Sequence, residues 1–151
     1  FDTDYTGMGT TMVSAVALGD EVYVLNVGDS RAYRITKRKL VQITRDHSLV
    51  QDMVDRGEIS AEEARTHPRR NVITRALGVD ENVPCDIFKP RLSRGDMLLL
   101  CSDGLTNMLE DREIFELSKH NPDPLSLGRA LMDEALERGA TDNVTVVIIS
   151  K

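Results

Sequence analysis

The run Met97-Leu98-Leu99-Leu100-Cys101 constrains this chain more than any other stretch. Such a short apolar run is not long enough for a free-standing helix, and it lacks the alternation of a half-buried strand. It reads as a strand covered on both faces. The run ends abruptly at Ser102-Asp103-Gly104. A rigid strand that delivers a carboxylate to its tip, followed by a glycine that lets backbone approach closely, can hold a metal ion. The same residues also fit a plain strand-to-helix turn with Asp103 as the helix cap.

The preceding chain alternates short apolar segments with tight turns. Strands are expected at Met12–Leu18, Glu21–Val27, Arg31–Ile35 and residues 40–43, joined by Gly19-Asp20, a hairpin-like Gly28-Asp29-Ser30, and Lys37-Arg38-Lys39. Links this short make neighbouring strands antiparallel, because parallel neighbours need long crossovers. Residues 47–56 then carry Leu49, Val50, Met53 and Val54 at helical spacing, with Leu49 and Met53 expected in the core and Gly57 as the stop. Ser60-Ala61-Glu62-Glu63 is a capping box that opens a second short helix, to about Arg65. A basic, irregular segment, His67-Pro68-Arg69-Arg70-Asn71, leads through residues 72–78 back toward the sheet. Residues 46–78 thus read as a surface excursion, a common seat of binding specificity.

A further strand is expected at residues 84–88, and a helix capped by Asp111 runs through Lys119. The next helix is the clearest. Asp123 caps it, Pro124 lies in its first turn, Leu127, Leu131, Ala135 and Leu136 form an apolar stripe, and Gly139 ends it. Residues 144–149 make a final strand. Helices set against a mainly antiparallel sheet give an α+β layered fold.

With 151 residues the chain is the size of one domain. Its net charge of −6 argues against nucleic acid as a partner. No apolar run is long enough for a membrane-spanning helix. Cys85 and Cys101 lie far apart in sequence, at neither metal-ligand nor disulfide-framework spacing, and read as the reduced thiols of a cytoplasmic protein. The chain opens on Phe1 rather than Met, so it reads as a piece of a longer protein.

Three aspartates share one setting: Asp29 between two strands, Asp103 at the exit of the buried strand, and Asp142 at the entrance to the last one. If the strands around 97–101 and 144–149 are antiparallel neighbours, Asp103 and Asp142 converge. Two carboxylates brought together repel, so one takes up a proton or a cation sits between them. Oxygen-only ligands favour a hard ion, Mg²⁺ or Mn²⁺. The alternative is that all three are ordinary turn aspartates.

Four motifs in order now stand out: Gly7-Met8-Gly9-Thr10-Thr11, Val27-Gly28-Asp29-Ser30-Arg31-Ala32-Tyr33, Leu100-Cys101-Ser102-Asp103-Gly104-Leu105-Thr106-Asn107, and Thr141-Asp142-Asn143-Val144-Thr145. Together they resemble the later motifs of the metal-dependent protein serine/threonine phosphatases, the protein-phosphatase-2C type. Residues 46–78 resemble the flap of the bacterial members. The resemblance implies a four-layer α-β-β-α sandwich, incomplete at its N-terminal side, forming a single domain over 1–151 with a flap-like insertion at about 46–78. It implies hydrolysis of phospho-Ser and phospho-Thr by a water activated at a dinuclear Mg²⁺/Mn²⁺ site, with two ions or three. Asp103 and Asp142 would be metal ligands, Asp29 with Asp103 would hold a third ion, and Asn107 would be a weak ligand where the family often has an acid. It also implies phosphoprotein partners, among them a cognate kinase.

The family's early motifs, including a phosphate-gripping Arg and an Asp that bridges both metals, have no match in these residues. The chain alone is therefore expected to be inactive. Arg69, Arg70 and Arg75 form a basic cluster that can guide a phosphopeptide. Arg31 is expected in an internal ion pair, and His47 and His67 as anchors of the flap. The rival reading is a catalytically silent, phosphatase-like module that binds phosphoproteins.

Overall fold

The structure, a computed structural model, describes residues 7–19 and 21–151. Residues 1–6 and Asp20, half of the expected Gly19-Asp20 reversal, lie outside the described residues. The strands are β1 (Met12–Leu18), β2 (Glu21–Val27), β3 (Arg31–Ile35), β4 (Leu40–Gln42), β5 (Asp86–Phe88), β6 (Met97–Cys101) and β7 (Val146–Ser150). The helices are α1 (Leu49–Asp55), α2 (Ala61–Thr66), α3 (Asp103–Thr106), α4 (Asp111–His120) and α5 (Pro124–Glu137). Two antiparallel sheets form, in the orders β1-β2-β5 and β4-β3-β6-β7.

Strand β6 explains the layering. It is hydrogen-bonded on both sides, and all five of its residues are buried. Leu98 and Leu100 point into the space between the sheets with Val24 and Ala32. Met97, Leu99 and Cys101 point the other way, against Leu105, Ile114, Leu127, Leu131 and Ala135 of α3, α4 and α5. Each leucine so buried contributes about 2 kcal/mol. Burial also pushes the Cys101 thiol up to about 12, so it packs as a small apolar side chain. Cys85 and Cys101 are both free thiols. The described residues thus make three layers, sheet on sheet on helices. The outer face of the first sheet carries exposed Val16, Leu18 and Ile87. Among the described residues, no helix is long and apolar enough to cross a membrane.

Several local expectations are corrected. Gly28-Asp29-Ser30 is not a hairpin turn, because β2 and β3 belong to different sheets and the segment carries the chain from one to the other. Glu110, not Asp111, occupies the cap of α4 in a capping box with Glu113, while the Asp111 carboxylate accepts the Tyr33 hydroxyl. Ser102 holds the cap position of α3 and Asp103 is its first residue. Leu136 is 60% exposed, so the apolar stripe of α5 ends at Ala135. Leu49 and Met53 are only partly buried, and Val50 is the buried residue of α1. The capping box of α2 and the Asp123 cap of α5 form as their sequences require.

Candidate metal centre

Two of the four sequence motifs meet at the crossover. Gly28 has φ +109°, and a Cβ there would lie 2.3 Å from Thr11 Cγ2, so glycine alone lets the chain turn this close to the first motif. The Ser30 and Thr11 hydroxyls share a hydrogen bond of 2.9 Å across the same contact. Asp29 sits between these fixed neighbours, half-buried. Burial first, and then the charge of Asp103, push its carboxyl up to about 6, with Asp46 adding to the effect and Arg31 opposing it. Asp29 and Asp103 are therefore electrostatic neighbours although 74 positions separate them in the sequence (103 − 29).

The other two motifs meet at the β6–β7 end. Antiparallel pairing of Cys101 with Val146 sets the exit of β6 beside the entrance of β7. The Ser102 N–H donates to Thr145 O (3.1 Å), the Thr145 N–H donates to Ser102 Oγ (3.0 Å), and that hydroxyl donates to Asn143 O (3.1 Å). Gly104 lies so close that an added Cβ would stand 2.4 Å from Asn143 O. The backbones carrying Asp103 and Asp142 are thus pressed together. The Asp142 side chain is exposed and caps the Asn143 N–H at 2.7 Å, and Asn107 Nδ2 donates to Asp103 Oδ2 at 3.2 Å.

A cavity of about 480 Å³ opens between this rim and the 46–78 segment, and Asp29, Asp103 and Asn107 line it. Of the three arginines in the basic cluster, Arg70 lines this cavity. Arg69 is exposed and does not line it, and Arg75 is committed to Asp86 Oδ1 (2.8 Å) and Pro84 O (3.1 Å). Asp142 is not among the lining residues. Arg31 does form the expected ion pair: it grips Asp46 through Nε and Nη2 and donates from Nη1 to the Tyr33 hydroxyl. Sequence reading missed Asp46 and Arg65, both of which line the cavity. Asp46, in the loop after β4, carries no local signal, because its partner Arg31 lies at the start of β3. Arg65 is marked only by its place in the last turn of α2, from which it donates to Thr106 O at 3.3 Å.

The donors offered are carboxylate and amide oxygens, which suit Mg²⁺ or Mn²⁺ rather than zinc. Among the described residues, no three His, Cys, Asp or Glu side chains form a cage for an ion. Mg²⁺ commonly binds through one or two carboxylates and keeps its waters, so the arrangement fits part of such a site.

The shift at Asp29 has a consequence for pH. Its folded-state value lies above the ordinary 3.8, so the folded chain binds a proton that the unfolded chain releases between the two values. Its contribution to stability is full below 3.8 and lost as pH rises through about 6. In the metal-free protein, carbon NMR of the Asp29 carboxyl should show a midpoint near 6, and Mg²⁺ should pull that midpoint down. A midpoint at the ordinary value would refute the burial of Asp29 and, with it, the added repulsion from Asp103.

The chain is similar to known proteins along most of its length. The family model described as Protein phosphatase 2C matches residues 2–137. A curated relative, the serine/threonine phosphatase stp of Listeria monocytogenes, is 42% identical over 150 residues, which are 99% of this chain and 60% of the relative. The crystal structure of the serine/threonine phosphatase Stp1 from Staphylococcus aureus matches with a TM-score of 0.94 at 45% identity, over 99% of this chain and 59% of that one. The catalytic domain of the phosphatase PstP, solved in complex with two manganese ions, matches with a TM-score of 0.87 at 37% identity, over 97% of this chain and 60% of that one. The chain thus spans about 60% of the length of the Listeria relative.

Proposed function

The chain belongs to the protein phosphatase 2C family, and on that footing we propose that the whole protein hydrolyses phospho-Ser and phospho-Thr in other proteins, using Mn²⁺ or Mg²⁺ at a site with two ions or three. The observation that carries this reading is the cavity shared by Asp29 and Asp103, with the backbone of the Asp142 loop packed against Gly104. Asp103 and Asp142 hold one ion, Asp29 and Asp103 another. Asn107 contributes a neutral oxygen at most, which weakens that second position. Bound to these oxygens, the ions lower the pKa of a coordinated water and offset the charge of the phosphoryl oxygens.

Residues 46–78 act as a flap over the cavity, and Arg70 meets acidic groups of the substrate there. Arg31 cannot serve in that way, because Asp46 already occupies it. The partners on this reading are cytoplasmic phosphoproteins of bacterial signalling, a cognate kinase among them. A silent binding module would have no use for two carboxylates held close enough that the charge of Asp103 raises the Asp29 carboxyl.

The test is hydrolysis of a phosphothreonine peptide by the full-length protein with and without Mn²⁺. Turnover that needs Mn²⁺ and stops with a chelator is expected. The 151 residues alone should lag far behind, because the family's phosphate-gripping Arg and bridging Asp have no match in them. Metal-independent turnover, or none in the full-length protein, would refute the reading.

A further inference from the structure

His47 is 2% exposed, and each of its polar groups is engaged. Its backbone N–H donates to Gly28 O at 2.9 Å, and its Nδ1 accepts the Gly28 N–H at 3.0 Å. Its carbonyl accepts the Thr74 N–H at 2.8 Å, and its Nε2 lies 3.1 Å from Asp86 Oδ2. A backbone N–H can only donate, so Nδ1 is the bare nitrogen and the ring proton sits on Nε2, directed at Asp86. Asp86 is held by Arg75, the residue after Thr74, and is paired in register with Asn26, two residues before Gly28. The Arg75 hydrogen bond first, and then that of His47, keep the Asp86 carboxyl below its ordinary value, ionised and ready to accept. A closed ring results, running from the crossover through the imidazole to the return limb of the 46–78 segment and back to β2.

We infer that His47 is a positioning residue that couples the 46–78 segment to the turn carrying Asp29. It grips Gly28 on both its N–H and its C=O, the latter shared with Asn26 Nδ2 at 3.2 Å, so the orientation of the ring bears on the place of Asp29, the next residue. Asp86 sets that orientation, as an outer carboxylate does for a histidine in a metal site. Movement of the return limb at Thr74 and Arg75 is therefore felt at Asp29. This coupling rests on the reading of Asp29 as an ion-holding residue only in its consequence for metal, not in its geometry.

Two substitutions separate the arms. An Asn at this position places a carbonyl oxygen where Nδ1 stood and keeps the Gly28 bond, whereas a Gln reaches toward Asp86 and abandons Gly28. In the full-length protein, His47→Gln should weaken the loosest-bound Mn²⁺ by about tenfold, the lower end for loss of an outer-shell partner. His47→Asn should retain most of the parental affinity. In the metal-free protein, His47→Gln should speed hydrogen exchange at the Gly28 and Thr74 amides together.

Equal losses in both variants would reduce His47 to packing volume and overturn the inference. So would unchanged exchange at Thr74 while Gly28 quickens. If His47→Gln does not fold, Asp86→Ala replaces it: faster exchange at Gly28 supports the coupling and parental exchange overturns it. Should the parent protein bind no Mn²⁺, the phosphatase reading fails on its own, and the exchange measurements still decide the coupling.

Discussion

Asp103→Asn should lower kcat/KM of the full-length protein on a phosphopeptide by on the order of 10²–10³-fold at saturating Mn²⁺, the scale set by losing one preorganised electrostatic partner. Its effect on folding should run the other way. Asp103 is the neighbouring charge that most raises the Asp29 carboxyl, so an amide there relieves the repulsion. In the presence of a chelator the variant should melt no lower than the parent. Loss of turnover with stability kept would place Asp103 in the chemistry. A variant as active as the parent would remove Asp103 from the site, and a variant that loses both properties would make it a structural residue.

Gly104→Ala should be strongly damaging for so small a change. Its new Cβ would stand 2.4 Å from Asn143 O, 3.0 Å from Asn143 C and 3.4 Å from Val144 Cα, all backbone atoms that no rotamer can move aside. The loops bearing Asp103 and Asp142 must part. Overpacking of this kind costs about 3 kcal/mol, which lowers the melting temperature by roughly 6–12 °C in a chain of this size. Turnover should fall as well, because the two carboxylates separate.

Gly128→Ala is the matched control. It lies inside α5, and its Cβ would meet only Ile148 Cδ1 of β7 at 3.8 Å, an ordinary contact. It should raise stability by about 0.5–1 kcal/mol, as expected for replacing glycine in a helix interior. Equal melting temperatures for the two variants would mean that the 102–104 and 142–145 loops are not in contact.

How much of this was legible from residues alone differs from place to place. The capping box at Ser60–Glu63 and the Asp-Pro start of α5 are local patterns with local causes, and they form as read. The burial of β6 follows from an apolar run with no polar alternation. Convergence of the Asp103 and Asp142 loops followed from one conditional, antiparallel pairing of the flanking strands, and that pairing is present. The Gly28–Ser30 turn was misread because two short strands and a glycine look alike whether they form a hairpin or pass between sheets. What decides is distant: Thr11 packed against Gly28, and His47 bound to both of its backbone groups. The cap of α4 was placed one residue late because Asp111, a better cap than Glu110 by preference, is taken by the Tyr33 hydroxyl. The Arg31–Asp46 pair and the place of Arg65 over the rim depend on contacts that no spacing encodes.

Strand β6 is paired on both edges and covered on both faces, whereas the 46–78 segment is exposed along much of its length and is fastened to the body mainly near its two ends, by backbone bonds at His47 and Leu77 and by the side chains of Asp46, His47 and Arg75. Substitutions between those fastenings can accumulate without disturbing the carboxylates at the rim, so descendants of such a protein can change their targets while inheriting the same chemistry.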